Sequence, residues 1–389
     1  MFKLFKLVVV GTVCAVLGAA QKASWGIEQN IMGAVGTSVA FSDATHGFYP
    51  MDSNQGGSTI LETVDGGQNW TSSGSMDVTM FLASAAKGQN IVATTLFGVV
   101  YSNDGGKSFN SITNYQGGQS VKFSDTKVWI TNGERISSSS DNGASWTETK
   151  IPQLLTSARY VAAPSDKIIY VSAGEWPQQS SQKDSNAFPL SARWTVSPAA
   201  TTKQLSAIPT YGKVTKRHAE ATDQPTTYKM QMLKSVDGGA TWTSQFFSDS
   251  LNLYFNAVDC YDAEHCCAAA EGDSVAVYCT NDGQNWSQVY HNPSETLSLM
   301  GAAYVGPQEI WIGGGNLSQI DMYAFFLHST DGGKTWTEEG TDIYGQYPND
   351  LSFVSPTQGW ASTFNNLQQS GLLQFKNWSQ AAPASTFLQ

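Results

Sequence analysis

The segment Ser329-Thr-Asp-Gly-Gly-Lys-Thr-Trp336 decides the fold of this chain, because its pattern recurs along the sequence. Each copy has a Ser or Thr, an Asp two residues later, a Gly, and an aromatic residue at its end. The copies occupy residues 63–70, 102–109, 139–146, 235–242, 280–286 and 329–336, and the copy at 280–286 is one residue short. Six copies of one motif identify a repeat protein.

Each residue type in this motif has a structural task. An Asp followed by Gly between two extended runs predicts a β-hairpin, because Gly accepts the positive φ at which the chain reverses. The carboxylate and the hydroxyl accept N–H groups inside the turn, and the aromatic ring folds beneath it. A catalytic or calcium-binding role is the disfavoured alternative, since the ligand spacing of a calcium loop is missing. The predicted structural residues are Asp65, Asp104, Asp141, Asp237, Asp282 and Asp331, with Trp70, Phe109, Trp146, Trp242, Trp286 and Trp336.

The runs around each motif alternate between apolar and polar residues, which predicts four short strands per repeat. A seventh repeat at 350–378 has lost the motif and keeps only its final Trp378. The aromatic positions then lie 39, 37, 96, 44, 50 and 42 residues apart. Five of these intervals match the ~40–50 residues of a propeller blade. We therefore predict an all-β fold, a single seven-bladed β-propeller with four-stranded blades.

The interval of 96 residues has two explanations. The segment at about 178–226 is either a long loop inserted between the second and third strands of one blade, or a degenerate eighth blade that contains Trp194. Residues 167–176 have the pattern of a second strand and residues 228–235 that of a third, which favours the insertion. Ring closure stays open, because residues 24–32 and residues 377–378 both offer a last strand.

The N-terminus has the composition of a secretory signal. Lys3 and Lys6 precede a short apolar run, and small residues at 18–20 suit cleavage after Ala20. This predicts a signal peptide at 1–20 and the propeller at 21–389, in a protein that is secreted or lies in the lumen of the secretory pathway. No apolar segment of similar length follows, so we expect no membrane span after cleavage.

The charge of the chain argues against one class of partner. Its formal net charge of -11 disfavours nucleic acid, whose phosphates require a basic surface. No nucleophile elbow, His-Glu-x-x-His motif or phosphate-binding loop appears in the sequence. We expect no cofactor and no metal ion, and we also expect a monomer.

Four cysteines lie close together in residues 260–279, a pattern that predicts disulfides in an exported protein. Cys266 and Cys267 are adjacent and point to opposite sides of a strand, so they need different partners. We predict a Cys260–Cys266 bond across one turn and a Cys267–Cys279 bond across the next hairpin. A zinc site is the alternative, although paired C-x-x-C spacings are missing.

Four asparagines lie in the Asn-x-Ser/Thr pattern that N-linked glycosylation requires, and they are predicted glycan acceptors if the source is eukaryotic. They are Asn69, Asn285, Asn316 and Asn377.

The repeated motif resembles the Asp-box (BNR) repeat of sialidases, sortilin-type receptors, xyloglucan-cleaving glycosidases and photosystem II stability/assembly factors. The Gly359-Trp360 strand entry looks most like the assembly-factor group, whose members are single seven-bladed propellers. That resemblance implies a non-catalytic scaffold that binds a protein or a glycan. The clustered cysteines and the long insertion depart from that group, so a photosynthetic role does not follow.

A glycoside hydrolase, sialidase- or xyloglucanase-like, is the alternative that the resemblance leaves open. Sialidases use three arginines, a Tyr–Glu nucleophile pair and an Asp acid, with a Phe-Arg-Ile-Pro motif near the start. The arginines of this chain lie in no such motif. Acidic residues outside the boxes still allow an unrecognised carboxylate pair, as glycoside hydrolysis requires. These residues are Glu134, Glu175, Glu271 and Asp321.

The order of strands predicts where a ligand binds. Each box joins the third and fourth strands, so the loop between the second and third strands lies on the opposite face of the ring. We expect the predicted insertion, with its several Lys and Arg residues, to lie on that face and to bind an acidic protein or a carbohydrate. The candidate binding residues are Arg159, Glu175, Trp176, Arg193, Trp194 and Arg217.

Overall fold

The computed structural model describes residues 23–31, 34–53, 57–74, 76, 78, 80–113, 115, 117–175, 228–318, 322–364 and 370–376. Those residues form seven antiparallel sheets arranged as the blades of a ring, as the sequence predicts. The predicted signal peptide and the predicted insertion lie outside the described residues.

The strands follow the chain from blade to blade, except that β1 (Ser24–Ile31) belongs to blade 7. Blade 1 contains β2 (Ala34–Gly36), β3 (Ala40–Phe41), β4 (Gly47–Ser53), β5 (Ser58–Thr63) and β6 (Thr71–Ser72). Blade 2 contains β7 (Phe81–Lys87), β8 (Asn90–Thr95), β9 (Gly98–Ser102) and β10 (Asn110–Thr113). Blade 3 contains β11 (Ser120–Phe123), β12 (Val128–Thr131), β13 (Arg135–Ser139) and β14 (Thr147–Lys150).

Blade 4 contains β15 (Ala158–Ala162), β16 (Ile169–Glu175), β17 (Lys229–Ser235) and β18 (Thr243–Ser248). Blade 5 contains β19 (Leu253–Cys260), β20 (Cys266–Gly272), β21 (Val275–Thr280) and β22 (Ser287–Asn292). Blade 6 contains β23 (Leu297–Gly306), β24 (Glu309–Asn316), β25 (Tyr323–Ser329) and β26 (Thr337–Glu339). Blade 7 contains β27 (Tyr347–Ser355), β28 (Gln358–Phe364) and β29 (Ser370–Lys376), with β1 as its outer strand.

Each blade is a meander whose first strand lines the centre of the ring and whose fourth strand lies at the outside. Most residues of the second and third strands are buried, because these strands lie between neighbouring blades; all six residues of β21 are buried, for example. Such strands are rich in Val, Ile, Ala and aromatic residues, which pack well on a pleated surface. In blade 1 the first strand is interrupted, and β2 and β3 both pair with β4.

The blade count is seven because β16 and β17 belong to one sheet. They pair from Ile169 opposite Ser235 to Glu175 opposite Lys229. The chain between Glu175 and Lys229 therefore joins the second and third strands of blade 4, and the alternative of an eighth blade is wrong.

The ring closes through the N-terminal strand. β1 pairs with β29 from Ser24 opposite Lys376 to Ile31 opposite Ser370. By strand register, Trp25 occupies the place that the box aromatic has in the other blades, since it lies opposite Phe375. Blade 7 has no box, and the N-terminal strand β1 supplies the aromatic residue that takes the position of the box aromatic.

In most blades an aromatic residue of the second strand packs beneath the box of the next blade, whereas blade 2 has Val92 at this position. The Trp360 indole of blade 7 donates a hydrogen bond to the Gly66 carbonyl of blade 1 at 3.3 Å. The Tyr170 hydroxyl of blade 4 donates to the Gly283 carbonyl of blade 5 at 3.2 Å. In blade 5 the corresponding residue is Cys267, and its disulfide to Cys279 fills this position against the box of blade 6.

Candidate functional site

The Asp boxes are hydrogen-bonded turns. The Asp65 carboxylate accepts the Thr63 hydroxyl at 2.9 Å, the Asn69 amide N–H at 2.9 Å and the Asn69 side-chain NH2 at 2.7 Å. The Trp70 indole N–H donates to the Gly67 carbonyl at 2.9 Å. The same carboxylate contacts recur at Asp104, Asp141, Asp237, Asp282 and Asp331.

These contacts favour the ionised carboxylate. The side-chain and backbone hydrogen bonds from Ser108 lower the pKa of Asp104 to about 2, and those from Thr335 lower that of Asp331 to about 2. A carboxylate with this many donors is occupied in holding its own turn. The boxes therefore have a structural role in the described propeller.

The boxes and the turns between first and second strands share one rim, which we call the box rim. The amide of the first box glycine donates to that turn within the same blade, for example from Gly66 to the Thr45 carbonyl at 2.8 Å and from Gly332 to the Gln308 carbonyl at 3.0 Å. The opposite edge of the ring, here named the crossover rim, carries the connections between blades. Glu175 and Lys229 lie at the crossover rim.

Two of the candidate binding residues are described, and both lie at the crossover rim. The Glu175 carboxylate accepts a hydrogen bond from the Lys229 ammonium at 3.1 Å. Arg159 is only 2% exposed, and its guanidinium donates to the Asn256 side-chain oxygen at 2.9 Å. The remaining candidates, Trp176, Arg193, Trp194 and Arg217, lie outside the described residues.

A buried polar network lies beside Arg159, and of its members the sequence pointed only to Glu271, as one candidate acid among several. The Tyr254 hydroxyl and the Ser298 hydroxyl both donate to the Glu271 carboxylate. The Tyr347 hydroxyl donates in turn to Ser298 Oγ at 2.6 Å. The Arg159 guanidinium lies 5.1 Å from the centre of the Tyr254 ring. Four blades thus contribute polar side chains to one region of the crossover rim.

The centre of the ring holds a cavity of about 370 Å³ lined by the first strand of each blade. Inside it, the Lys122 ammonium lies 3.2 Å from the Asp259 carboxylate. Burial lowers the pKa of Lys122, but Asp259 and Asp350 outweigh that effect and raise it above its usual value. Asp259 also accepts the Tyr304 amide at 2.9 Å, which joins the first strands of blades 5 and 6, while its contact with Lys122 joins blade 5 to blade 3 across the cavity.

The cysteines pair as predicted. The structure contains a Cys260–Cys266 disulfide and a Cys267–Cys279 disulfide, with sequence separations of 6 and 12 residues. The first bond joins β19 to β20 and the second joins β20 to β21, all within blade 5. The described residues hold no group of three or more His, Cys, Asp or Glu side chains placed to bind a metal ion.

Two of the predicted glycan acceptors already have a role inside the boxes. The Asn69 side-chain NH2 donates to Asp65, and that of Asn285 donates to Asp282, each at 2.7 Å. Ser or Thr makes the same contact in the other boxes. Asn316 lies at the end of β24, where its side-chain oxygen accepts the Ser318 amide at 2.7 Å, and Asn377 lies outside the described residues.

Comparison with known proteins agrees with this geometry. The family model of the BNR/Asp-box repeat matches residues 327–338, which contain the box of blade 6. The described residues fold as a β-propeller, and six of its seven blades carry Asp-box turns. No curated protein matches its sequence.

Solved structures of YCF48 share the fold of this propeller. YCF48 bound to D1 peptide is 15% identical, with a TM-score of 0.55 over 90% of this chain and 96% of that one. YCF48 from Cyanidioschyzon merolae is 16% identical, with a TM-score of 0.52 over 91% of this chain and 99% of that one. A GH74 enzyme from Niastella koreensis is 12% identical, with a TM-score of 0.43 over 86% and 65%. The described part of this propeller contains no helix with the length and apolar character that crossing a bilayer requires.

Proposed function

We propose that this propeller is a non-catalytic recognition scaffold that binds a protein segment at its crossover rim. The polar network of Arg159, Tyr254, Glu271 and Ser298 is the observation that carries this proposal. Its members are almost fully buried. Tyr254 and Ser298 donate hydrogen bonds to Glu271, and the Arg159 guanidinium lies 5.1 Å from the centre of the Tyr254 ring, so the rim of blades 4 to 6 is a preorganised surface. A rigid surface loses little conformational entropy on binding.

Exposed apolar side chains on the same rim support a protein partner. Leu155, Leu251 and Tyr344 lie in the connections that enter blades 4, 5 and 7, and they are 58%, 47% and 67% exposed. Large apolar and aromatic residues of this kind serve as anchors in protein interfaces. A solved relative in fold, YCF48, has been captured with a peptide, which is consistent with a peptide-sized ligand here.

A peptide-display selection with matched variants tests this proposal. The probe is a library of random dodecamer peptides, and the selected binders are measured by fluorescence polarisation. Leu251→Ala with Tyr344→Ala should weaken binding about tenfold or more, because each removes an anchor. The control is Val64→Ala with Val236→Ala, since these box-rim residues are comparably exposed at 70% and 60%. Failure to select any binder, or a greater loss in the control, would refute the proposal.

A glycoside hydrolase is the second candidate, and one contact favours it. Tyr254 donates to the Glu271 carboxylate beside the Arg159 guanidinium, which is the kind of Tyr–Glu pair that sialidases use. Against it, Tyr254 and Glu271 are only 2% and 3% exposed. A panel of fluorogenic glycosides distinguishes the two candidates: turnover that Glu271→Gln or Glu175→Gln abolishes would establish an enzyme.

We also propose that the protein is exported to the secretory pathway or beyond the cell. The predicted signal peptide and the two disulfides in blade 5 support this, since disulfides persist in oxidising compartments. Detection of the chain in a secreted or lumenal fraction, with an N-terminus after Ala20, would support export. A protein that keeps its first twenty residues and stays in the cytosol would contradict it.

A further inference from the structure

A recurring contact joins five of the blades to the box of the next one. The contact is made by the residue that immediately precedes the Ser or Thr of a box. In blade 7, which has no box, the residue at the same strand register makes it. The side chain extends across the junction to a glycine in the box of the next blade. Gln374 donates to the Gly66 carbonyl at 3.1 Å, and Lys234 donates to the Gly283 carbonyl at 2.7 Å. At three further junctions Glu62, Tyr101 and Cys279 lie within van der Waals contact of the place a Cβ would take on Gly106, Gly143 and Gly333.

One junction among the six that precede a box lacks this contact. In blade 3 the residue before the box is Ser138, which is too short to reach the box of blade 4. A gap of about 440 Å³ remains there on the box rim. We call this gap the notch; its walls include Lys127, Ser138, Asp141, Thr147, Thr149 and residues 238–240.

Blade 4 shows what normally fills the space. Lys234 and Gln245, which lies three residues after the box Trp, each donate to the Gly283 carbonyl at 2.7 Å. Counted from the box, Ser138 and Thr149 hold the corresponding positions in blade 3, although Gln245 lies in a β-bulge and Thr149 pairs regularly with Ile136. Among the described residues, no side chain of blade 3 donates to the Gly238 carbonyl, which belongs to a wall of the notch.

The chemistry of the walls selects a class of ligand. Hydroxyls of Ser138, Thr147 and Thr149 both donate and accept hydrogen bonds. Lys127 places its ammonium 5.3 Å from the centre of the Trp129 ring, so one cation already lies beside the notch and a cationic ligand is disfavoured. The Asp141 carboxylate disfavours an anion. We propose that the notch binds a neutral saccharide unit whose hydroxyls bond to these side chains and to the Gly238 carbonyl.

Filling the notch with the side chains of blade 4 tests the proposal. The variant Ser138→Lys with Thr149→Gln copies the pair Lys234 and Gln245 into blade 3. Binding is measured by saturation-transfer NMR with glucose, galactose, mannose, N-acetylglucosamine and their short oligomers, and with free arginine as a cationic probe. We expect at least one sugar to bind the unmodified protein and the filled variant to bind it about tenfold more weakly or not at all.

A matched control keeps the number of Lys and Gln substitutions constant. Ser111→Lys with Thr113→Gln lies on the outer strand of blade 2, away from the notch, and should bind as the unmodified protein does. A second filled variant, Ser138→Tyr with Thr149→Ile, copies blade 2 and serves if the first does not fold. The proposal is overturned if no sugar binds the unmodified protein, if a filled variant binds equally well, or if only arginine binds.

Discussion

Replacing Trp25 by Ala should open the ring at its closing blade. Trp25 is the aromatic wedge that the N-terminal strand supplies to blade 7, and it is only 8% exposed. Its ring stacks on Phe326 of blade 6 with centroids 4.0 Å apart, and it meets Trp311 edge-on at 5.7 Å. The substitution therefore removes contacts on both sides of the junction between blades 6 and 7.

The expected cost follows from these contacts. Truncating a buried Trp or Phe to Ala lowers the free energy of unfolding by about 3–5 kcal/mol, through lost burial and the cavity left behind. Globular proteins unfold with an entropy of about 2.1 cal/mol/K per residue, or roughly 0.8 kcal/mol/K for a chain of 389 residues. The midpoint of thermal unfolding should therefore fall by about 4–6 °C.

Calorimetry measures this shift, and hydrogen exchange shows where the ring loosens. We expect faster exchange in β1 and β29, because the pair of strands that closes the ring loses its packing. Trp70→Ala is the control, since Trp70 holds the equivalent position in a blade whose outer two strands are adjacent in sequence. A midpoint that stays within about 1 °C, or equal exchange of β29 in both variants, would refute the role assigned to Trp25.

Two other perturbations test the boxes and the disulfides. Hydrogen bonds lower the pKa of box carboxylates such as Asp104 and Asp331 to about 2. The stabilisation of the fold by these ionised carboxylates is therefore present above about pH 4 and is lost as the pH falls towards 2. Thermal midpoints measured across this range should decline, and Asp104→Asn should flatten the decline; a midpoint independent of pH would contradict the assignment. Replacing Cys267 and Cys279 by Ala should cost about 3 kcal/mol and replacing Cys260 and Cys266 about 2, by loop entropy for 12 and 6 residues. Denaturant unfolding checks both pairs, and a larger loss for the Cys260 pair would refute the ranking.

Features with short sequence separation were predictable from the sequence. Each box is complete within eight residues, so its turn and its hydrogen bonds could be predicted from the local sequence. The number of boxes, six, could be counted in the same way. The two disulfides lie within one blade, and adjacent cysteines on a strand leave few pairings. Seven blades followed from the spacing, because one interval of double length had flanking strands that fit a single blade.

Candidate site residues were predicted less well, because their surroundings come from distant parts of the chain. Arg159 and Glu175 were singled out as ligand contacts, yet Arg159 is buried against Asn256, which lies 97 residues away. Glu271 was noted only as one acid among several. Its partners Tyr254 and Ser298 lie on two different blades, and no local pattern marks them.

The sequence by itself determined the repeat, the strand order within each blade and the pairing of the cysteines, because each depends on contacts between near neighbours in the chain. Only the tertiary structure decided how the ring closes, since β1 and β29 lie at opposite ends of the described chain and the sequence left residues 377–378 as an alternative last strand. It also decided that one junction holds a notch, because a small Ser138 matters only when the box of the next blade stands opposite it. Packing between blades is a property of the closed ring, and no single repeat contains it.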